Sequence, residues 1–84
     1  MRARVFVTLK PSVFDPQGRT VTEALHTLGH AAIGDVRQGK YFELDVDASS
    51  IDEARAVVAK AATDVLANPV IERYRIEIVD EVPA

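Results

Sequence analysis

The chain contains no cysteine. That excludes a disulfide framework, a thiolate nucleophile and any Cys-ligated zinc or iron–sulfur site. It has no basic excess either: 13 acidic against 10 basic side chains give a net charge of -3. A nucleic-acid binder needs a concentrated basic surface, so this balance argues against one. No apolar run approaches the roughly 20 residues that span a bilayer. Met1-Arg2-Ala3-Arg4 leads directly into an alternating segment with no signal-peptide core, so a cytoplasmic chain without a membrane segment is expected. Repeats, linkers and low-complexity tracts are also missing; only the stretch from Glu81 to Ala84 reads as frayed.

What is there is a globular balance, 48 % hydrophobic and 27 % charged residues. Eighty-four residues suffice for a single domain over 1–84. So short a chain buries only about 60–65 % of its unfolded surface, which favours assembly into a homodimer or larger.

Alternation and periodicity divide the chain into five elements. Ala3, Val5, Val7 and Leu9 share one side of a strand, with Arg2, Arg4, Phe6, Thr8 and Lys10 on the other. Pro11 ends it. Asp15 can cap a helix with Pro16 at its first position; Thr20-Val21-Thr22-Glu23 is a competing capping box one turn later. Val21, Ala24, Leu25 and Leu28 form one apolar stripe, and Gly29 stops the helix. In 35–46, Val36, Phe42, Leu44 and Val46 share a parity. Either one strand kinked at Gly39 or two strands folding back there satisfies this pattern. Ser50-Ile51-Asp52-Glu53 opens a second helix, with Ile51, Ala54, Val57, Val58, Ala61, Val65 and Leu66 on its buried face. Asn68-Pro69 ends it, and 70–79 alternates as a last strand. The order strand, helix, strand, helix, strand predicts an α+β two-layer sandwich: an antiparallel sheet with two helices on one face, related to the ferredoxin-like arrangement.

Candidate chemistry is thin. Gly34 to Tyr41 nearly spells a phosphate-binding loop, but Tyr41 stands where a Ser/Thr hydroxyl is needed. A helix precedes and a strand follows, the reverse of the required setting. His26 and His30 are four apart without an acid between them or a third ligand, so solvent-facing histidines are expected and no metal site. Spacing yields no catalytic constellation and no cofactor site. The second sheet face is more informative. Phe6, Tyr41, Ile71 and Val79 would lie there among charged residues, an apolar set that suits contact with another surface. Arg37 and Lys40, beside the Gly39 bend and outside the core, join them as candidate interface residues.

Several segments together resemble the PurS family, the small subunits of bacterial and archaeal phosphoribosylformylglycinamidine (FGAM) synthase. They are Leu9-Lys10-Pro11, Asp15-Pro16-Gln17-Gly18, Ala24-Leu25-His26-Thr27-Leu28-Gly29, Val36-Arg37-Gln38-Gly39-Lys40, Phe42-Glu43-Leu44 and Leu66-Ala67-Asn68-Pro69-Val70-Ile71-Glu72. Their order and spacing cover nearly the whole chain. The resemblance implies a subunit without catalytic residues in an enzyme that converts formylglycinamide ribonucleotide, glutamine, ATP and water to formylglycinamidine ribonucleotide, glutamate, ADP and phosphate. It further implies two partners: a PurQ chain that releases ammonia from glutamine, and a PurL chain that binds ATP and magnesium. The small subunit would bridge them and assist ammonia transfer.

Two other readings remain open at this point. One is a regulatory module holding a small ligand between Arg37, Lys40 and Arg73. The other is an RNA-binding sheet with Phe6 and Tyr41 as stacking platforms, which the acidity disfavours.

Overall fold

The computed structural model describes residues 1–79. The expectation for Glu81 to Ala84 therefore lies outside the described residues. Strand β1 (Arg2–Leu9) is followed by helix α1 (Pro16–Thr27), strand β2 (Gly39–Asp45), helix α2 (Ile51–Ala61), a π-helical turn (Ala62–Leu66) and strand β3 (Glu72–Val79). The sheet order is β2-β1-β3, with both pairs antiparallel.

The alternation read from the sequence sets the two faces. Ala3, Val5 and Val7 are fully buried, opposite Leu44, Phe42 and Lys40 on β2 and Ile78, Ile76 and Tyr74 on β3. Ala54, Val58 and Ala62 press onto this face and complete the core with Val46 and Ala67. Alanine at two of these helical positions lets the helix backbone approach the sheet closely.

Both helix starts follow from local chemistry. Asp15 caps α1 with Pro16 behind it, so the earlier of the two competing signals prevails. Gly29 follows the helix with φ 95°, the left-handed stop the sequence predicts. Ser50 caps α2 by accepting from the Glu53 N–H at 3.1 Å. The Glu53 carboxylate reaches back to the Ser49 hydroxyl and N–H, one residue earlier than a standard capping box, and these bonds hold its carboxyl below the ordinary range.

Three expectations change. Residues 35–46 are neither a long kinked strand nor a hairpin, because the strand begins at Gly39. Ile71 does not lie on the outer sheet face; it sits in the turn before β3, where its N–H donates to Asn68 O at 3.2 Å. The buried stripe of α2 is narrower than expected, with Ile51 and Val57 46 % and 51 % exposed, and it shifts near its end. The Ala67 N–H donates to Ala62 O five residues back, and this wider turn adds a residue to the helix. Leu66 therefore packs against the core while Val65 is 80 % exposed.

Helix α1 is the larger surprise. Its stripe is predicted to cover the sheet, yet Val21 and Ala24 are exposed, Leu28 is 76 % exposed and only Gly18 is buried. The chain is elongated as a result. Its radius of gyration is 16.2 Å, against roughly 12 Å for a compact chain of this length.

Candidate functional site

Three segments distant in sequence meet at the end of the sheet where β1 finishes and β2 and β3 begin. Asp15 is the hinge of this meeting. One carboxylate oxygen accepts from the Gly18 N–H at 2.9 Å, and the other accepts from the Gln38 N–H at 2.7 Å. The first bond caps the helix; the second ties α1 to the segment leading into β2. Thr22 repeats the tie one turn on. Its Oγ1 accepts from the Val36 N–H at 3.0 Å and donates to Gly18 O at 2.9 Å. Gln38 Nε2 donates to Gln17 Oε1 at 3.1 Å. Arg37 Nη2 donates to Lys10 O at 3.1 Å and to Val13 O at 3.0 Å, fastening the loop after β1.

The third segment is the Asn68-Pro69 corner. Glu72 Oε1 accepts from the Asn68 N–H at 2.7 Å, and Glu72 Oε2 lies 3.4 Å from Lys40 Nζ. Lys40 also donates to Leu66 O at 3.4 Å. The Lys10 N–H donates to Ile71 O at 2.9 Å, closing the corner onto β1. A cavity of about 410 Å³ opens here, lined by Asp15, Gln17, Gln38, Lys40 and Glu72 among others.

Asp15 is 5 % exposed, but in so thin a molecule little protein lies around it, and desolvation loses to hydrogen bonding. The Gln38 and Gly18 N–H groups, with Arg37 nearby, hold its carboxyl below the ordinary value of 3.8. A depressed folded pKa supplies stability above the unfolded value and loses it as pH falls through the folded one. Acid should therefore loosen this end of the sheet below about pH 4. The check is urea denaturation at pH 5 and pH 3 for the parent and Asp15→Asn. The parent is expected to lose more stability across the interval; equal losses would mean that Asp15 carries no charge-dependent support.

The outer sheet face has its own order. Phe6 and Tyr41 are cross-strand partners with ring centroids 5.1 Å apart, and the Arg75 guanidinium stands 4.2 Å from the Phe6 ring. Tyr41 Oη donates to Glu43 at 2.8 Å, and partial burial together with that carboxylate pushes the phenol up. Arg2 pairs with Glu43 at 3.5 Å, and Arg4 approaches Glu77 at 4.0 Å. Val79 faces the same way, opposite Arg2.

Of the interface candidates, Phe6, Tyr41 and Val79 thus share one face, while Arg37, Lys40 and Ile71 belong to the braced end. His26 does not pair with His30: its Nε2 stands 2.6 Å from Ile33 O, which only accepts, so the proton sits on that nitrogen. The Gly34–Tyr41 segment leads into a strand, and its Gln38 N–H is already committed to Asp15. Among the described residues no group of three His, Cys, Asp or Glu side chains is placed to hold a metal ion, and no helix is long and apolar enough to cross a membrane.

These stitches join the segments that carry the family resemblance: 15–18, 36–40 and 66–72. The sequence model of PurS, described as phosphoribosylformylglycinamidine (FGAM) synthase, matches residues 2–80. The chain belongs to the PurS family. The PurS subunit of Mycobacterium leprae FGAM synthase is 47 % identical over 75 residues, covering 89 % of this chain and 91 % of that one. A solved structure of Bacillus subtilis PurS superposes with a TM-score of 0.80 at 44 % identity, covering 90 % and 94 % of the two chains. The PurLQS structure from Thermotoga maritima contains a chain matching with a TM-score of 0.84 at 30 % identity, over 90 % and 93 %. As a PurS chain the protein is a subunit of FGAM synthase in purine biosynthesis, and the enzyme, a ligase, is the complex. The small α+β fold agrees with the sequence expectation.

The sequence reading misses the second bond of Asp15 and the Glu72–Asn68 clamp. The Asp15–Gln38 tie joins positions 23 apart, and no local periodicity registers a contact of that span.

Proposed function

We propose that this chain is a non-catalytic bridge, holding a PurQ glutaminase and a PurL synthetase so that ammonia passes from one to the other. ATP and magnesium are assigned to PurL. The unit is one cytoplasmic PurS-like domain over residues 1–84, working as a dimer or larger. The observation that carries this reading is the close match to the PurS chain of a PurLQS assembly, over 90 % of this chain. The chemistry explains why a bridge helps. Released into water, ammonia is protonated and diluted, so the two sites must be held in a fixed and closed arrangement.

A bridge needs rigid complementary surfaces. The stitched end of the sheet supplies rigidity, and Phe6, Tyr41, Val79 and Ile71 are the proposed contact residues. Arg37 and Lys40 have intramolecular acceptors, which casts both as supports for that surface. Self-association is assigned to the uncovered stripe of α1. The chain exposes 5912 Å², roughly 1000 Å² more than a compact monomer of its mass. That excess is of the order that one protomer of a standard interface buries, about 800 Å².

The test is reconstitution with matched PurL and PurQ chains. Leaving this chain out is expected to abolish most glutamine-dependent synthase activity and to spare activity with ammonium chloride. Full glutamine-dependent activity from the two large chains alone would refute the bridge.

A further inference from the structure

Among the described residues, Arg73 is the one arginine with no carboxylate or carbonyl acceptor. Arg2, Arg4, Arg19 and Arg75 have carboxylates, and Arg37 and Arg55 have carbonyls. Arg73 is exposed on the outer face of β3, directly across from Thr8 of β1. Thr8 and Arg73 line an open cavity of about 340 Å³ with Leu9, Pro11, Asp35 and Arg37. Arg37 commits only Nη2 to the loop carbonyls, so its Nε and Nη1 donors remain unspent among the described residues. Two arginines and a threonine therefore line one small depression together with Leu9 and Pro11, in a chain whose net charge is negative.

We propose that this depression is a docking socket for a single carboxylate side chain on a partner chain of the synthase. The inference rests on the bridging role. A guanidinium fork matches a carboxylate in geometry and charge, and Leu9 and Pro11 add apolar lining for the stem of an Asp or Glu. Asp35, which lines the same cavity, sets the selectivity. It repels a run of negative charge, so a nucleic-acid backbone or a polyacidic tail fits poorly, whereas one carboxylate flanked by a donor fits well. The open cavity suits a protruding side chain more than an engulfed small ligand.

The experiment measures association of the intact chain with matched PurL and PurQ for the parent, Arg73→Glu and Arg73→Lys. Melting curves and sedimentation of each chain alone accompany it. Arg73→Glu is expected to weaken association by tenfold or more and to flatten its salt dependence, with Arg73→Lys in between. Melting and oligomeric state should match the parent, because the Arg73 side chain is exposed and has no hydrogen bond or ion pair with a described residue. Parental association by Arg73→Glu overturns the socket, and the bridge survives if omission of the chain still removes glutamine-dependent activity. A changed oligomeric state in Arg73→Glu overturns it in favour of a self-contact. A melting temperature raised by millimolar inorganic phosphate in the parent but not in Arg73→Glu overturns it in favour of a small-anion site.

Discussion

Gly39→Ala should destabilise the fold by about 3 kcal/mol, near the upper end of what overpacking costs. A Cβ at position 39 would stand 2.3 Å from Val7 O and 2.9 Å from Thr8 Cγ2. The first of these is backbone, and it belongs to β1, the central strand paired on both sides. A flexible side chain could swing away from the new methyl, but Val7 O cannot move without disturbing a fully buried residue. The total stability of a chain this size is roughly 4–13 kcal/mol, so the loss is a large share of it. Gly34→Ala is the control. A Cβ there meets nothing within 4 Å, and a change within about 0.5 kcal/mol is expected for such a surface site. Urea denaturation of the two variants decides the matter, and equal midpoints would mean that β2 relaxes away from β1 at little cost.

Gly39 also marks where the sequence stopped being informative. Alternation identifies the buried parity of β1, β2 and β3 because a half-buried strand must alternate. Caps mark the start of α2 and two candidate starts of α1, because the first N–H groups of a helix need acceptors nearby in sequence. Both signals are local. A glycine in an alternating run announces a missing side chain without saying what approaches it, so bend, bulge and close strand contact read alike. The same limit hides the second bond of Asp15. As a cap it is one of two candidates, beside the Thr20–Glu23 box, but its grip on the Gln38 N–H depends on how the chain returns after α1. The interface candidates divide the same way. Parity alone places Phe6 and Tyr41 on one face, where they meet, whereas the alternation of 70–79 puts Ile71 in a strand that begins one residue later. The exposed stripe of α1 misled for a different reason: amphipathicity says that a face will be covered, not by which molecule.

That stripe leads to the second large effect. The double variant Val21→Lys with Leu28→Lys is expected to weaken self-association by roughly 10²- to 10⁴-fold. Full burial of one such side chain contributes about 1.5–3 kcal/mol, the exposed shares of the two amount to about one side chain on each of two protomers, and every 1.4 kcal/mol is tenfold in the dissociation constant. The two positions are seven apart on one face, 38 % and 76 % exposed in the single chain. Lysine is chosen so that the helix itself does not suffer. Its helix propensity exceeds that of valine, and a cation at position 28 sits favourably beside the helix C-terminus. A 12-residue helix is marginal in water without a packed face. The polar ties of helix α1 come from Asp15 and Thr22 in its first two turns and from His26 near its end; none of them covers its apolar stripe, so an apolar cover there stabilises the helix. Sedimentation equilibrium over a wide concentration range reads the dissociation directly, and circular dichroism reports whether the separated protomer keeps its secondary structure. A monomeric double variant that still melts cooperatively places the self-contact on α1 and the core under α2. If it instead sediments as the parent does, α1 is not the self-association face. The elongated shape would then have to be completed by a different surface of the chain.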